Sequence, residues 1–231
     1  EQGLQIQRHV PGSGLLEEVD QLGVAMSAGI EAFYTRTSDF EMTAHTRWNP
    51  IFSALGGLVS GIFSRRVQQL RLPRGREASP VRIESEVIML ADAAGRPVYR
   101  VWYRRNRCTG AVIFYGIYAA CRIPSGESCL KVILPLPHGS ATVVFRVSGA
   151  TGEGLTLLSS GKTYGDPGFY FLVQDRDGKV WKHYLSSFRE QITFSEHTSG
   201  QLRAHHAMSL WHLPVYEMDY TITERSKGTG D

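Results

Sequence analysis

The chain has 231 residues, of which 42% are hydrophobic and 20% charged, and its formal net charge is +3. This length and composition support one substantial core without a shift that would mark two domains, so we expect a single domain over residues 1–225 and a flexible tail at 226–231. The longest apolar stretch, PIFSALGGLVSGIF, is shorter than the roughly 20 residues needed to span a bilayer, which excludes a transmembrane helix.

Arginines concentrate between residues 65 and 107, where eleven of them face four acids and give a local net charge of +7. Because the rest of the chain is net negative, we expect at most weak, salt-sensitive binding to anionic surfaces and no specific nucleic-acid partner. The three cysteines lack metal-ligand spacing and are too few for a disulfide scaffold, which indicates a reducing compartment and a cytoplasmic location. A hairpin centred on Ser125 would place Cys121 and Cys129 opposite each other, where a disulfide is the minority alternative.

The first predicted element is an amphipathic helix over residues 14–34, where apolar residues recur at helical spacing and two glutamates occupy the first turn. Alternating polar and apolar residues at 40–48 predict a strand with one wet face. An Asn-Pro pair then suits the start of a second helix, over residues 50–70. Small residues back its apolar stripe, so we expect it to pack between the sheet and a neighbouring element, with a mobile lid or a membrane-surface helix as the alternative.

Residues 81–224 have the pattern of β-structure, because short β-rich runs alternate with turn sequences such as DAAGRP, IPSGE, YGDPG and DRDG. No interval has room for a crossover helix, so successive strands are expected to be antiparallel. A meander of eight to ten strands tends to curl or close. The predicted fold is therefore α+β and predominantly antiparallel β, with a long sheet curled into a barrel-like shape and two N-terminal helices packed on it.

The run AVIFYGIYAAC is apolar on both faces, so both faces must be covered. Its small residues can leave space inside a curved sheet. We therefore expect a ligand cavity at this strand, with Phe114, Tyr115, Tyr118 and Trp102 among its lining groups.

The neighbouring run YRVWYRRNR places Arg100, Trp102 and Arg104 on one strand face. The favoured interpretation is an outer surface, on which arginine stems lie along the aromatic ring. The alternatives are an internal site for an anionic group and a stacking surface for nucleic acid.

Two further segments supply candidate catalytic residues. His183 shares its strand face with apolar neighbours, which suits either a hydrogen-bonded core histidine or a proton carrier in a cavity. Tyr164 and Asp166 lie in a turn at a strand mouth, where polar groups can meet a ligand, although Asp-Pro-Gly is also ordinary turn chemistry.

The C-terminal sequence LRAHHAMSLWHLPVYEMDY raises the question of a metal site. If residues 204–224 form one strand, His206 and His212 share a face but lie about 20 Å apart, and His205 points the other way. Imidazole ligands lie about 2 Å from a zinc ion, so no metal site is predicted.

The two acids that follow, Glu217 and Asp219, share one strand face about 7 Å apart, which we interpret as a solvated face rather than an acid/base pair. The chain contains no phosphate loop, zinc-protease or dinucleotide-binding motif, and no cofactor is predicted. A site assembled from several strands would carry no such motif.

These observations favour a protein that binds a hydrophobic or amphipathic small molecule in a cavity of its curved sheet. The first alternative is an enzyme that acts on such a molecule with His183 or Asp166 as proton carrier. The second is a structural or interaction module with a filled core and no ligand.

Overall fold

The computed structural model describes residues 4–8, 10–52, 80–136, 138–150, 153–197 and 200–225. It begins with β1 (Gln5–Gln7), a 3-10 turn (Asp20–Leu22), α1 (Ala28–Thr35) and a second 3-10 turn (Thr37–Asp39). The remaining strands are β2 (Phe40–Trp48), β3 (Val81–Ala91), β4 (Pro97–Asn106), β5 (Val112–Arg122), β6 (Ser128–Leu136), β7 (Gly139–Ala150), β8 (Gly154–Ser159), β9 (Gly168–Gln174), β10 (Val180–Leu185), β11 (Phe188–Glu196), β12 (Leu202–Leu210) and β13 (Leu213–Glu224).

Ten strands close into a barrel whose neighbours are all antiparallel. Around the wall the order is β2, β3, β4, β5, β6, β7, β8, β11, β12 and β13, which pairs with β2 again. Strand β7 pairs twice along one edge, through residues 139–144 with β9 and through residues 146–150 with β8. The β9–β10 hairpin is therefore joined to the sheet through β7 and is not one of the ten strands that close the wall. The predicted antiparallel sheet curled into a barrel is confirmed.

The helix predicted over residues 14–34 is wrong before residue 28. The chain first makes a 3-10 turn that ends at Gly23, whose φ of 67° lies in the left-handed region. The α-helix starts only after Ser27, whose hydroxyl accepts a hydrogen bond from the backbone N–H of Ile30.

The segment before α1 lies against the last turn of that helix. A Cβ atom on Gly14 would lie 2.2 Å from the carbonyl carbon of Thr35, and the backbone N–H of Leu16 donates to the carbonyl oxygen of Tyr34 over 3.1 Å. The apolar side chains that suggested a long helix are mostly buried: Leu15, Val19, Leu22, Ile30 and Phe33. Their spacing predicted burial correctly, because irregular chain can bury the same side chains that a helix would.

The second predicted helix, over residues 50–70, lies outside the described residues from residue 53 onward. Residues 50–52 are helical, and the side chain of Asn49 accepts a hydrogen bond from the backbone N–H of Ile51 over 3.0 Å. The start expected at the Asn-Pro pair is therefore present.

Helix α1 closes one end of the barrel. Phe33 inserts its ring among aromatic side chains from β2, β4 and β11, with centroid distances of 5.6 Å to Phe40, 5.8 Å to Trp102 and 5.9 Å to Phe194. At the rim, the backbone N–H of Gly29 donates to the Glu196 carboxylate over 3.2 Å. This end of the barrel is apolar inside.

The single strand predicted over residues 204–224 is wrong, because β12 and β13 form a hairpin. Leu210 and Leu213 pair across a two-residue turn made by Trp211 and His212, with φ values of 47° and 67°. Such a turn normally carries Asn or Gly, which adopt positive φ at little cost. Tryptophan and histidine gave no turn signal in the sequence.

Cys121 and Cys129 are directly opposite each other in the β5–β6 pair, as expected, and both are free thiols. Burial raises the pKa of the Cys129 thiol to about 12. Among the described residues, every helix is too short or too polar to cross a bilayer.

Candidate functional site in the barrel interior

Polar side chains line part of the barrel interior. Strand register and burial place its polar side chains on the inner face of six strands, and we refer to them as the interior polar cluster: Thr46, Arg104, Tyr118, Glu190, His206, Tyr216 and Tyr220. Buried polar groups are normally hydrogen-bonded, and buried charges are normally paired. The cluster therefore differs from the core that surrounds it.

Arg104 contributes a buried cation. Its inward direction follows from β4, where it shares a face with Trp102, while the next residue, Arg105, points outward to Glu84. The guanidinium carbon lies 4.2 Å from the ring centroid of Trp102 and 4.3 Å from that of Phe114. Two cation–π contacts in a desolvated site offset part of the cost of burying the charge.

The hydrogen bonds of this cation are incomplete. Only 9% of Arg104 is exposed, and among the described residues its Nε atom has no hydrogen-bond partner. Within the same part of the chain no carboxylate forms an ion pair with it, although the Tyr220 hydroxyl interacts with the guanidinium. A buried donor without a partner costs roughly 1–3 kcal/mol, and more when it is charged. Arg104 thus presents an unused N–H group inside the barrel.

Thr46 on β2 also has a buried polar atom without a hydrogen-bond partner among the described residues. It is 3% exposed, and its hydroxyl oxygen has no hydrogen-bond partner in the described part of the protein. By register it lies beside Met218 on β13, on the face that also carries Tyr216 and Tyr220. A second polar atom of the interior is therefore available.

Glu190 and His206 supply a buried acid and a partly buried imidazole. His206 Nε2 lies 3.5 Å from a carboxylate oxygen of Glu190 and 3.4 Å from the hydroxyl oxygen of Tyr216. The backbone N–H of Glu190 donates to the hydroxyl of Ser159 over 2.9 Å, which fixes the strand at this point. A carboxylate and an imidazole, two groups that can exchange protons with a bound molecule, therefore lie side by side in the interior.

Three tyrosine hydroxyls complete the cluster as neutral groups. Burial raises the pKa of Tyr118, Tyr216 and Tyr220 above the usual value near 10, and the charge of Arg104 opposes part of that rise. They therefore remain protonated at neutral pH and can donate hydrogen bonds.

The structure brings four of the predicted ligand-binding residues together: Trp102, Arg104, Phe114 and Tyr118. The favoured interpretation of this arginine-rich face as an outer surface is wrong, because the face points inward. In the closed barrel one face of β4 points to the interior and the other to the outside. The alternation of residues along the strand does not show which face is which.

The remaining predicted ligand-binding residues have other surroundings. Arg100 shares the inner face but donates to the carbonyl oxygen of Gly14 over 3.3 Å, and so anchors the N-terminal segment. Tyr115 lies opposite Tyr103, on the other face of the sheet from Trp102. Tyr164 is exposed, with its ring against that of Tyr170.

The predicted catalytic residues do not belong to the interior polar cluster. His183 is exposed on the β9–β10 hairpin, opposite Phe171, so the expectation of a core or cavity histidine is wrong. Asp166 accepts hydrogen bonds from the backbone N–H groups of Lys162 and Thr163 over 2.9 Å and 3.0 Å, which lower its pKa. It has the role of a turn residue.

The C-terminal histidines point to three different places. His205 faces outward and lies 2.7 Å from an Asp219 oxygen, while His206 faces the interior. His212 occupies the β12–β13 turn. No group of three potential metal ligands occurs in the described ranges.

Glu217 and Asp219 share the outer face of β13, as predicted. The guanidinium of Arg47 pairs with both, with nitrogen–oxygen distances of 3.0 Å to Glu217 and 2.9 Å to Asp219.

Sequence reasoning missed Glu190, although a signal existed. In β11 it is in phase with Phe188, Ile192 and Phe194, so an acid stands in a row of otherwise apolar side chains. The histidine run suggests His206 only as a possible metal ligand, whereas its phase with Ala204 and Met208 places it on the same inner face.

An open depression of about 700 Å³ lies outside the wall, where β2 and β3 pair through only three residues. Its lining includes Arg82, Arg107 and Arg225, with Glu41 and Glu84 among them. The Arg107 guanidinium lies 4.0 Å from a Glu41 oxygen, and both groups are largely exposed. Exposed pairs of this kind have little energetic effect, so the depression is a weaker candidate than the interior.

Comparisons with protein-family models, curated proteins and solved structures found no match to this chain.

Proposed function

We propose that the barrel binds a hydrophobic or amphipathic small molecule in its interior, with the polar part of the ligand at the interior polar cluster. The observation that carries this proposal is the pair of buried atoms, Arg104 Nε and Thr46 Oγ1, that lack hydrogen-bond partners among the described residues. Buried polar atoms in native proteins nearly always have a partner in the protein, in ordered water or in a bound group. A bound ligand would provide the missing partners.

The width of the barrel supports the proposal. An eight-stranded barrel is just wide enough for side chains to fill it or for one small ligand, and this wall has ten strands. Several inward positions also carry small residues, including Ala44, Thr46, Ser85 and Ala204. Gly116 is not one of the open positions, because a Cβ there would lie 3.1 Å from the Phe114 ring.

The apolar side chains of the interior would receive the rest of the ligand. Burying about 300 Å² of apolar ligand surface offers roughly 7 kcal/mol before the costs of ordering and association. We therefore expect dissociation constants in the micromolar range.

The test is a titration with a fluorescent fatty-acid analogue, together with native mass spectrometry of the purified protein. Thr46→Phe fills the interior at the polar cluster and should abolish the signal. Thr43→Phe is the matched control, because Thr43 lies on the same strand and points outward. If the wild-type protein binds neither the probe nor any co-purifying molecule, the proposal is wrong. A structural or interaction module without a ligand would then be the better interpretation.

A second candidate is an enzyme that uses the same interior, with Glu190 and His206 in place of His183 and Asp166. It is favoured by the 3.5 Å distance between the buried carboxylate and the partly buried imidazole, which suits proton transfer to or from a bound molecule. A ligand released with an altered mass in the same experiment would support this candidate.

A further inference from the structure

We propose that the ligand is a carboxylate-bearing amphipath and that Arg104 recognises its head group. This inference rests on the proposed function and specifies the ligand of the same site. Arg104 is a buried cation without a carboxylate partner among the described residues, whereas Glu190 already lies beside His206.

The surroundings of the guanidinium determine how a ligand can approach it. The rings of Trp102 and Phe114 lie over the guanidinium at stacking distance, so a head group must approach along its edge. On one edge of the guanidinium, the Nε atom has no hydrogen-bond partner in the described part of the chain. A planar carboxylate matches such an edge with two parallel hydrogen bonds.

The other charged groups of the cluster favour a single negative charge. Glu190 repels an anion unless His206 carries a proton, and a phosphate group would bring close to two charges into the same space. The neutral hydroxyls of Tyr216 and Tyr220 can donate to a carboxylate oxygen. The Trp102 indole N–H does not compete for it, because it donates to the hydroxyl of Ser85.

The experiment compares three probes of equal chain length: decanoate, decanol and decylamine, each titrated by displacement of the fluorescent analogue. We expect decanoate to bind about 10–100-fold tighter than decanol, the effect of charge-assisted hydrogen bonds in a desolvated site. Decylamine should bind more weakly than decanol. Because this comparison uses the wild-type protein, it does not depend on the folding of any variant.

Two variants test whether Arg104 is the residue that recognises the carboxylate. Arg104→Met should remove the preference for decanoate and keep decanol binding, and Arg104→Lys should keep only part of the preference because lysine lacks the planar fork. Arg105→Met is the matched control. It lies next in the chain and points outward to Glu84, so it should leave the preference unchanged.

The outcomes separate the two proposals. Equal binding of decanoate and decanol would overturn the carboxylate inference and leave the interior as a binding site. Tightest binding of decylamine would overturn it in favour of recognition by Glu190. Binding of none of the three probes would remove both proposals.

Discussion

Truncation of Phe33 tests whether α1 closes the barrel. The side chain is 1% exposed, and its ring contacts four other aromatic rings, from Tyr34, Phe40, Trp102 and Phe194, at centroid distances between 5.5 and 5.9 Å. Truncation of a buried phenylalanine to alanine costs about 3–5 kcal/mol, and aromatic pairs add about 0.5–1.5 kcal/mol beyond the buried area. We therefore expect Phe33→Ala to lower the free energy of unfolding by an amount near the upper end of the range of about 3–5 kcal/mol.

The measurement is urea unfolding at 25 °C followed by circular dichroism, supported by thermal melts. For a chain of this length, each kcal/mol lost from the free energy of unfolding lowers the melting temperature by about 2–4 °C. The melting temperature of Phe33→Ala should therefore fall by about 8–20 °C. Leu213→Ala is the control, since Leu213 is 55% exposed and should change stability by no more than about 0.5 kcal/mol. A loss below about 1 kcal/mol for Phe33→Ala would refute the packing of α1 against the barrel end.

Two further predictions concern the β12–β13 turn and the buried tyrosines. His212→Gly should stabilise the protein by about 1 kcal/mol in the same urea assay, because glycine adopts the positive φ of 67° without steric cost; a destabilised variant would contradict this. In a spectrophotometric titration at 295 nm, the tyrosines with raised pKa should ionise only well above pH 10, together with unfolding. The pKa of these tyrosines is raised in the folded state, so their contribution to stability is fully present below their pKa in the unfolded chain, which is near 10. That contribution is lost as the pH rises through their pKa in the folded protein. Ionisation of all ten tyrosines in one step near pH 10 in folded protein would show that they are not buried.

The strands were predictable because period-2 alternation and turn residues are local signals. The exceptions have local causes. The β12–β13 turn went unnoticed because Trp211 and His212 are not turn-forming residues. The N-terminal helix was overextended because helical spacing of apolar residues also occurs in chain that is buried without being helical.

The candidate site was partly predictable. The aromatic and arginine-rich face of β4 was identified as a candidate ligand-binding surface, with an internal anion site as one alternative. Its direction stayed open, since arginine and tryptophan together suit an outer surface as well as an interior. Glu190 and His206 lie 16 positions apart, and their approach depends on the pairing of β11 with β12.

Local sequence patterns are enough to identify the extended segments, most of their turns and the side chains that share a strand face, because each of these depends on a few neighbouring residues. The pairings of β8 with β11 and of β13 with β2 join strands that are distant in the chain, so they depend on the tertiary structure, and they turn a meander into a closed wall. Closure gives each strand an inside and an outside. It is therefore the reason that Arg104 and Glu190 are buried charges while Arg105 and Glu217, on strands of the same wall, lie at the surface.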